Sequence, residues 1–79
     1  MRIKTEDLVE KIKNTIDFNY DDAIQYTVSK NGNCVIIQIE GNDIVINNDY
    51  ENAMLLDEDQ QIISYGDIEN KIDQQINKF

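Results

Sequence analysis

Histidine is absent from the chain, and cysteine occurs once. The first absence excludes Ser/His/Asp and Cys/His catalytic arrangements and every His-containing metal site. The second excludes an internal disulfide, which points to a reducing, cytosolic setting. No apolar run approaches the roughly 20 residues of a membrane span, and the N-terminal "MRIKTEDLVEKIKN" lacks the apolar segment of a signal peptide. Nothing resembles a phosphate-cradling glycine loop, because "NGN" and "EGND" read as hairpin turns. Linkers, internal repeats and low-complexity segments are also missing, so residues 1–79 read as a single domain.

The most informative absence is positive charge. Sixteen Asp and Glu stand against seven Lys and Arg, a net charge of −9. Arg2, Lys4, Lys11 and Lys13 fall in the first helical segment, Lys30 at a turn, and Lys71 and Lys78 in the last helical segment. From Asn31 to Asn70 there is no base, while Glu40, Asp43, Asp49, Glu51, Asp57, Glu58, Asp59, Asp67 and Glu69 all carry negative charge. Such a surface repels nucleic acid and anionic membrane, and attracts basic protein faces over a Debye length of about 8–10 Å. Nucleic-acid binding is disfavoured outright, since the term that supplies most non-specific affinity needs Lys and Arg.

What is present is the material of a folded protein. The apolar fraction is 41%, with fourteen isoleucines, which is unlike a disordered acidic tail. A chain of this length buries only about 60% of its unfolded surface, so the core is modest and a deep catalytic cleft is not expected.

Residues 5–17 have Leu8, Val9, Ile12 and Ile16 at helical spacing, with Thr5 as the expected N-cap, Glu6 and Asp7 in the first turn and Asn19 as the stop. In "AIQYTVSKNGNCVIIQIEGNDIVINN", Ile24, Tyr26 and Val28 alternate with polar residues, the period of a half-buried strand. Asn31-Gly32 as the central pair of a tight turn would place Val28 opposite Val35, Tyr26 opposite Ile37 and Ile24 opposite Ile39. Gly41-Asn42 as a second such turn would pair Ile39 with Ile44 and Ile37 with Ile46, and would set Glu40 against Asp43. Both turns put the same strand face inward. The opposite face, with Gln25, Thr27, Cys34, Ile36, Gln38, Val45 and Asn47, is mixed. A last helix is expected from an N-cap at Asp67, with Ile68, Ile72, Ile76 and Phe79 as its stripe. Between Asp49 and Tyr65 a short hairpin of Met54–Leu56 and Ile62–Tyr65 closed by "DEDQ" competes with a short helix over 49–56, and the hairpin is preferred. The expected architecture is α+β: an antiparallel sheet of three to five strands, with an N-terminal and a C-terminal helix on one face.

The lone Cys34 falls inside a strand with no base to activate it, which reads as a small hydrophobe rather than a nucleophile. Neither "DEDQ" nor "NNDYE" carries a calcium-loop pattern, and adjacent turn acids alternate in direction, so neither a metal nor any other cofactor is expected. An enzyme is not expected either. What these absences leave is protein binding: acids at turns and element ends, interleaved with Tyr50, Tyr65, Met54 and Leu55, complement a basic groove. The expected contact set is Glu40, Asp43, Asp49, Tyr50, Glu51, Asp57, Glu58, Asp59, Asp67 and Glu69.

A small acidic chain with a first helix of the type "DLVEKIKN" and a base-free three-stranded sheet resembles the phage-encoded anti-CRISPR inhibitors of Cas9. "ENAMLLDED" followed by "ENKI" is similar to short stretches of the phage uracil-DNA glycosylase inhibitor. Both families are acidic DNA mimics, so the resemblance implies an inhibitor of a basic nucleic-acid-binding protein, a nuclease or repair enzyme, in the host cytoplasm. It carries over no individual site residue. The alternatives are a structural or assembly module with merely solubilising charge, including a homodimer joined through a sheet edge or the last helix, and an immunity or antitoxin protein for a basic nuclease.

Overall fold

Seven elements follow one another along the chain: α1 (Thr5–Asn19), β1 (Tyr26–Asn31), β2 (Cys34–Ile39), β3 (Asn42–Asp49), β4 (Met54–Leu56), β5 (Ile62–Ile63) and α2 (Tyr65–Ile76). The computed structural model describes residues 3–20 and 24–77. The strands form one antiparallel sheet in the order β1-β2-β3-β4-β5, and both helices lie on one face of it, as expected for an α+β chain. The segment around Met54 is the hairpin and not the helix.

The core joins Leu8, Ile12 and Ile16 of α1 and Ile68 and Ile72 of α2 to Val28, Val35, Ile37, Ile39, Ile44 and Ile46 of the sheet. All are buried, and each fully buried Leu, Ile or Val contributes about 1.5–3 kcal/mol. Ile76 packs at the margin of this core, while Phe79 lies outside the described residues.

The register departs from expectation by two residues at both turns. Tyr26 pairs with Ile39, Val28 with Ile37 and Lys30 with Val35. Ile37 pairs with Ile44, Val35 with Ile46 and Ile39 with Asn42. An even shift keeps every side chain on the same sheet face, so the apolar pattern cannot tell the two registers apart and turn chemistry decides. In the first hairpin Gly32 and Asn33 are central, and Gly32 (φ 63) supplies the positive φ required at the first position. In the second, Glu40 (φ 50) and Gly41 (φ 86) are both left-handed, the pattern of a type I′ turn. Glu40 is therefore in the turn, and Asp43 faces Gln38 instead, so the expected like-charge pair does not form.

Helix starts also differ. Thr5 is inside α1 and buried, and Lys4 at the N-cap position offers no side-chain bond. The orphan N–H of Thr5 donates instead to the Tyr50 hydroxyl at 2.9 Å, and the buried Asn48 amide donates to Ile3 O (2.8 Å) and Thr5 Oγ1 (3.3 Å). Tertiary contacts thus replace a local cap. Helix α2 begins earlier than expected because Ser64 is its N-cap. The Ser64 hydroxyl accepts from Asp67 N (3.2 Å), and the Asp67 carboxylate accepts from Ser64 N (2.8 Å), a capping box. Asp67 is therefore three residues inside the boundary rather than the cap itself. Tyr65 meets Lys11 and Thr15, and Tyr20 donates to Asp73, so contact between the helices advances in the same direction along both.

Candidate protein-binding surface

A meander places alternate turns at opposite ends of the sheet. The β1–β2 and β3–β4 turns share one end, with Asp49 and Glu51. The β2–β3 and β4–β5 turns share the other, with Glu40, Asp57, Glu58 and Asp59. From Asp43 to Asp49 the strand advances about 20 Å, roughly two Debye lengths, so the two acidic ends act as separate fields. Glu69 belongs to neither: it lies on α2 beside a shallow groove of about 610 Å³ against α1, with Asp7, Glu10 and the exposed Phe18. The ten expected contact residues therefore do not form one continuous ridge.

They also divide by task. Asp49 accepts from the backbone N–H groups of Glu51 (3.1 Å) and Asn52 (3.3 Å) and from the Asn52 side chain (2.8 Å). These bonds, led by the Asn52 side chain, hold its carboxyl below the ordinary value. The Asp57 carboxylate accepts from Asp59 N and Gln61 N, both at 2.9 Å, and so shapes the five-residue turn in which Gln60 is left-handed. Asp67 is lowered chiefly by its bond from the Ser64 backbone. The Glu40 carboxylate accepts from Gln25 N at 3.3 Å. Tyr50 is spent on the start of α1. These five residues stabilise the fold, Asp49, Asp57 and Asp67 locally and Glu40 and Tyr50 across the chain, and a sequence pattern alone does not separate them from the free acids.

Among the described residues, the side chains of Asp43, Glu51, Glu58, Asp59 and Glu69 accept no hydrogen bond, and all five are exposed. The ion pair found there, Lys30–Glu6 at 3.0 Å, involves none of the ten. Lys11 sits over the Tyr65 ring, 4.1 Å from its centroid, on the helical side of the molecule.

The sheet face away from the helices holds Asp43 and Asp49 of the expected set, and its other residues lie outside that set. Its cross-strand rows are Thr27–Gln38–Asp43, Ser29–Ile36–Val45, Asn31–Cys34–Asn47–Leu56–Ile62 and Asp49–Met54. Ile36, Val45 and Leu56 are half-buried and Ile62 is 70% exposed, yet none belongs to the core. The consecutive apolar residues of "CVII" and "DIVI", which break strict alternation, are the signal that could have marked this face.

No group of three or more potential ligating side chains that could hold a metal ion occurs among the described residues, and no helix there is long and apolar enough to cross a membrane. Comparison with family models, with curated proteins and with solved structures found no match.

Proposed function

We propose that this protein is a small acidic inhibitor that occupies the basic nucleic-acid-binding groove of a defence or repair enzyme, in the manner of a DNA mimic. The observation that carries the reading is the uniform sign of charge across β2–β5 and their turns, where the Asp43, Glu51, Glu58 and Asp59 carboxylates have no hydrogen-bond or ion-pair partner among the described residues. Strand β3 and the turns fix the backbone positions of these residues, so less ordering cost falls on binding than for a disordered acidic segment. Their field steers a basic surface toward the sheet and raises the association rate. The protein acts as a ligand rather than a catalyst, with no cofactor, and works in the compartment of its target, the cytoplasm.

The test is competition. Duplex DNA should displace the protein from its target enzyme, and inhibition should weaken steeply as salt is raised. Inhibition indifferent to both DNA and salt would refute the reading. An immunity protein for a basic nuclease would use the same physics against a different partner.

A further inference from the structure

We infer that the uncovered sheet face seats an amphipathic basic helix of the partner, through that helix's apolar stripe. The inference deepens the basic-partner reading and rests on it for the sign of the partner's charge.

An antiparallel sheet covered on one side ordinarily turns polar residues to water on the other. Here Ile36 and Val45 stand side by side, Leu56 pairs with Ile62, and Val45 lies diagonal to Leu56, within about 7–8 Å. Ile36, Val45 and Leu56 make one apolar band across β2–β4, and Ile62 extends it onto the edge strand β5, where it also lines a pocket with Leu8, Lys11 and Tyr65. Its borders are polar, Thr27 and Gln38 on one side and the acids Asp43 and Asp49 at its two ends. Lys30, the base nearest in the chain, alternates to the opposite face and pairs with Glu6. An apolar centre inside a polar rim is the anatomy of a protein interface, and the rim here has a single sign.

The dimensions and the charge choose the occupant. Thirteen side-chain positions, each about 7 Å by 4.8 Å, give a face of about 440 Å². A second copy docked there would bury about 900 Å² in total, short of the 1,200 Å² or so of a stable dimer. It would also bring together two faces that each carry Asp43 and Asp49 and no base. A helix is about 10–12 Å wide, which fits the band, and Lys or Arg flanking its stripe would reach both acids. The other face of this sheet already holds two helices through Ile and Leu side chains.

The probe is a synthetic Leu/Lys peptide of about 18 residues with leucine at i, i+3, i+4 and i+7, compared with a scrambled peptide of the same composition. Binding is read by titration calorimetry at moderate salt, and amide shifts locate the contact. The striped peptide should bind about tenfold or more tightly than the scrambled one, with shifts centred on Ile36, Val45, Leu56 and Ile62. Val45→Lys should abolish that difference, while Phe18→Ser on the helical side should leave it intact. Equal, salt-sensitive binding of both peptides would overturn the face while sparing the basic-partner reading. Equal affinity for an uncharged Leu/Gln striped peptide would sink the basic-partner reading and with it this occupant. A dimer in sedimentation that Val45→Lys dissociates would assign the face to a second copy and overturn the inference. The shift map of the wild-type protein decides the matter even where a variant fails to fold.

Discussion

Asp57 and its neighbours Glu58 and Asp59 carry the same charge within three positions, yet the structure gives them opposite roles. The Asp57 carboxylate accepts two backbone N–H bonds at 2.9 Å, from Asp59 and Gln61, and its backbone closes the turn through Gln61 O (3.0 Å) and Gln60 N (3.0 Å). Replacement by alanine leaves the two N–H groups to water and loosens the left-handed Gln60. Each lost bond costs about 0.5–1.5 kcal/mol, so Asp57→Ala should cost about 1–2 kcal/mol, less than the sum because water reaches the turn. At 4–8 °C per kcal/mol for a domain of this size, the melting temperature should fall by roughly 4–16 °C. Glu58→Gln with Asp59→Asn removes two charges and no hydrogen bond, and should shift stability by less than about 0.5 kcal/mol. Thermal denaturation followed by circular dichroism reads both. Indistinguishable melting of the two variants would refute the division between turn-holding and free acids. The practical consequence is that a binding experiment that neutralises all three acids together confounds folding with recognition.

Ser64→Ala removes one half of the α2 capping box and should cost about 1 kcal/mol, seen as a drop of about 4–8 °C in the melting temperature. Ala53 is left-handed (φ 55), so Ala53→Gly should stabilise the protein by roughly 0.5–1 kcal/mol in a urea titration, and a loss of stability would contradict that turn geometry. Desolvation, then hydrogen bonding to Asp17, pushes the Tyr26 hydroxyl up to about 12, and Tyr20 and Tyr65 are also raised, in each case first by desolvation. A folded value above the unfolded one of about 10 means that Tyr26 contributes stability fully below pH 10 and loses it as pH rises through about 12. Tyr26→Phe should accordingly blunt the alkaline decline measured by denaturant titration, and an unchanged decline would remove Tyr26 as its cause.

Much of the fold is legible in the residues themselves. Strict spacing in Leu8, Ile12 and Ile16, and alternation through Val35, Ile37 and Ile39, identify the buried face because burial is what those periods report. The register was not legible, because a shift of two residues leaves that burial unchanged. Glu40 adopting a left-handed conformation is a tertiary outcome, supported by its bonds to Gln25, and no turn rule favours glutamate there. The start of α1 differs from the sequence expectation for the same kind of reason: Tyr50, 45 residues away, satisfies the N–H that a local cap would otherwise satisfy. In the candidate surface the clustering of acids was visible, but not which of them already serve a backbone. Asp49, Asp57 and Asp67 differ from Glu58 and Asp59 only in what the folded chain brings within reach. The open apolar face was partly legible, since Ile36 and Val45 depart from alternation, while Leu56 and Ile62 join them only once β4 and β5 are paired.

The most direct measurement of the central claim is protection of substrate across a panel of nucleases and DNA glycosylases, with the wild-type protein beside the Glu51→Gln, Glu58→Gln, Asp59→Asn triple variant. These three carboxylates accept no hydrogen bond among the described residues, so the variant should melt with the wild type. The account predicts that the wild type protects the substrate of at least one enzyme, and that the variant's inhibitory potency falls about tenfold or more while its melting temperature holds. Protection of no substrate, or protection that the triple variant retains in full, would contradict it.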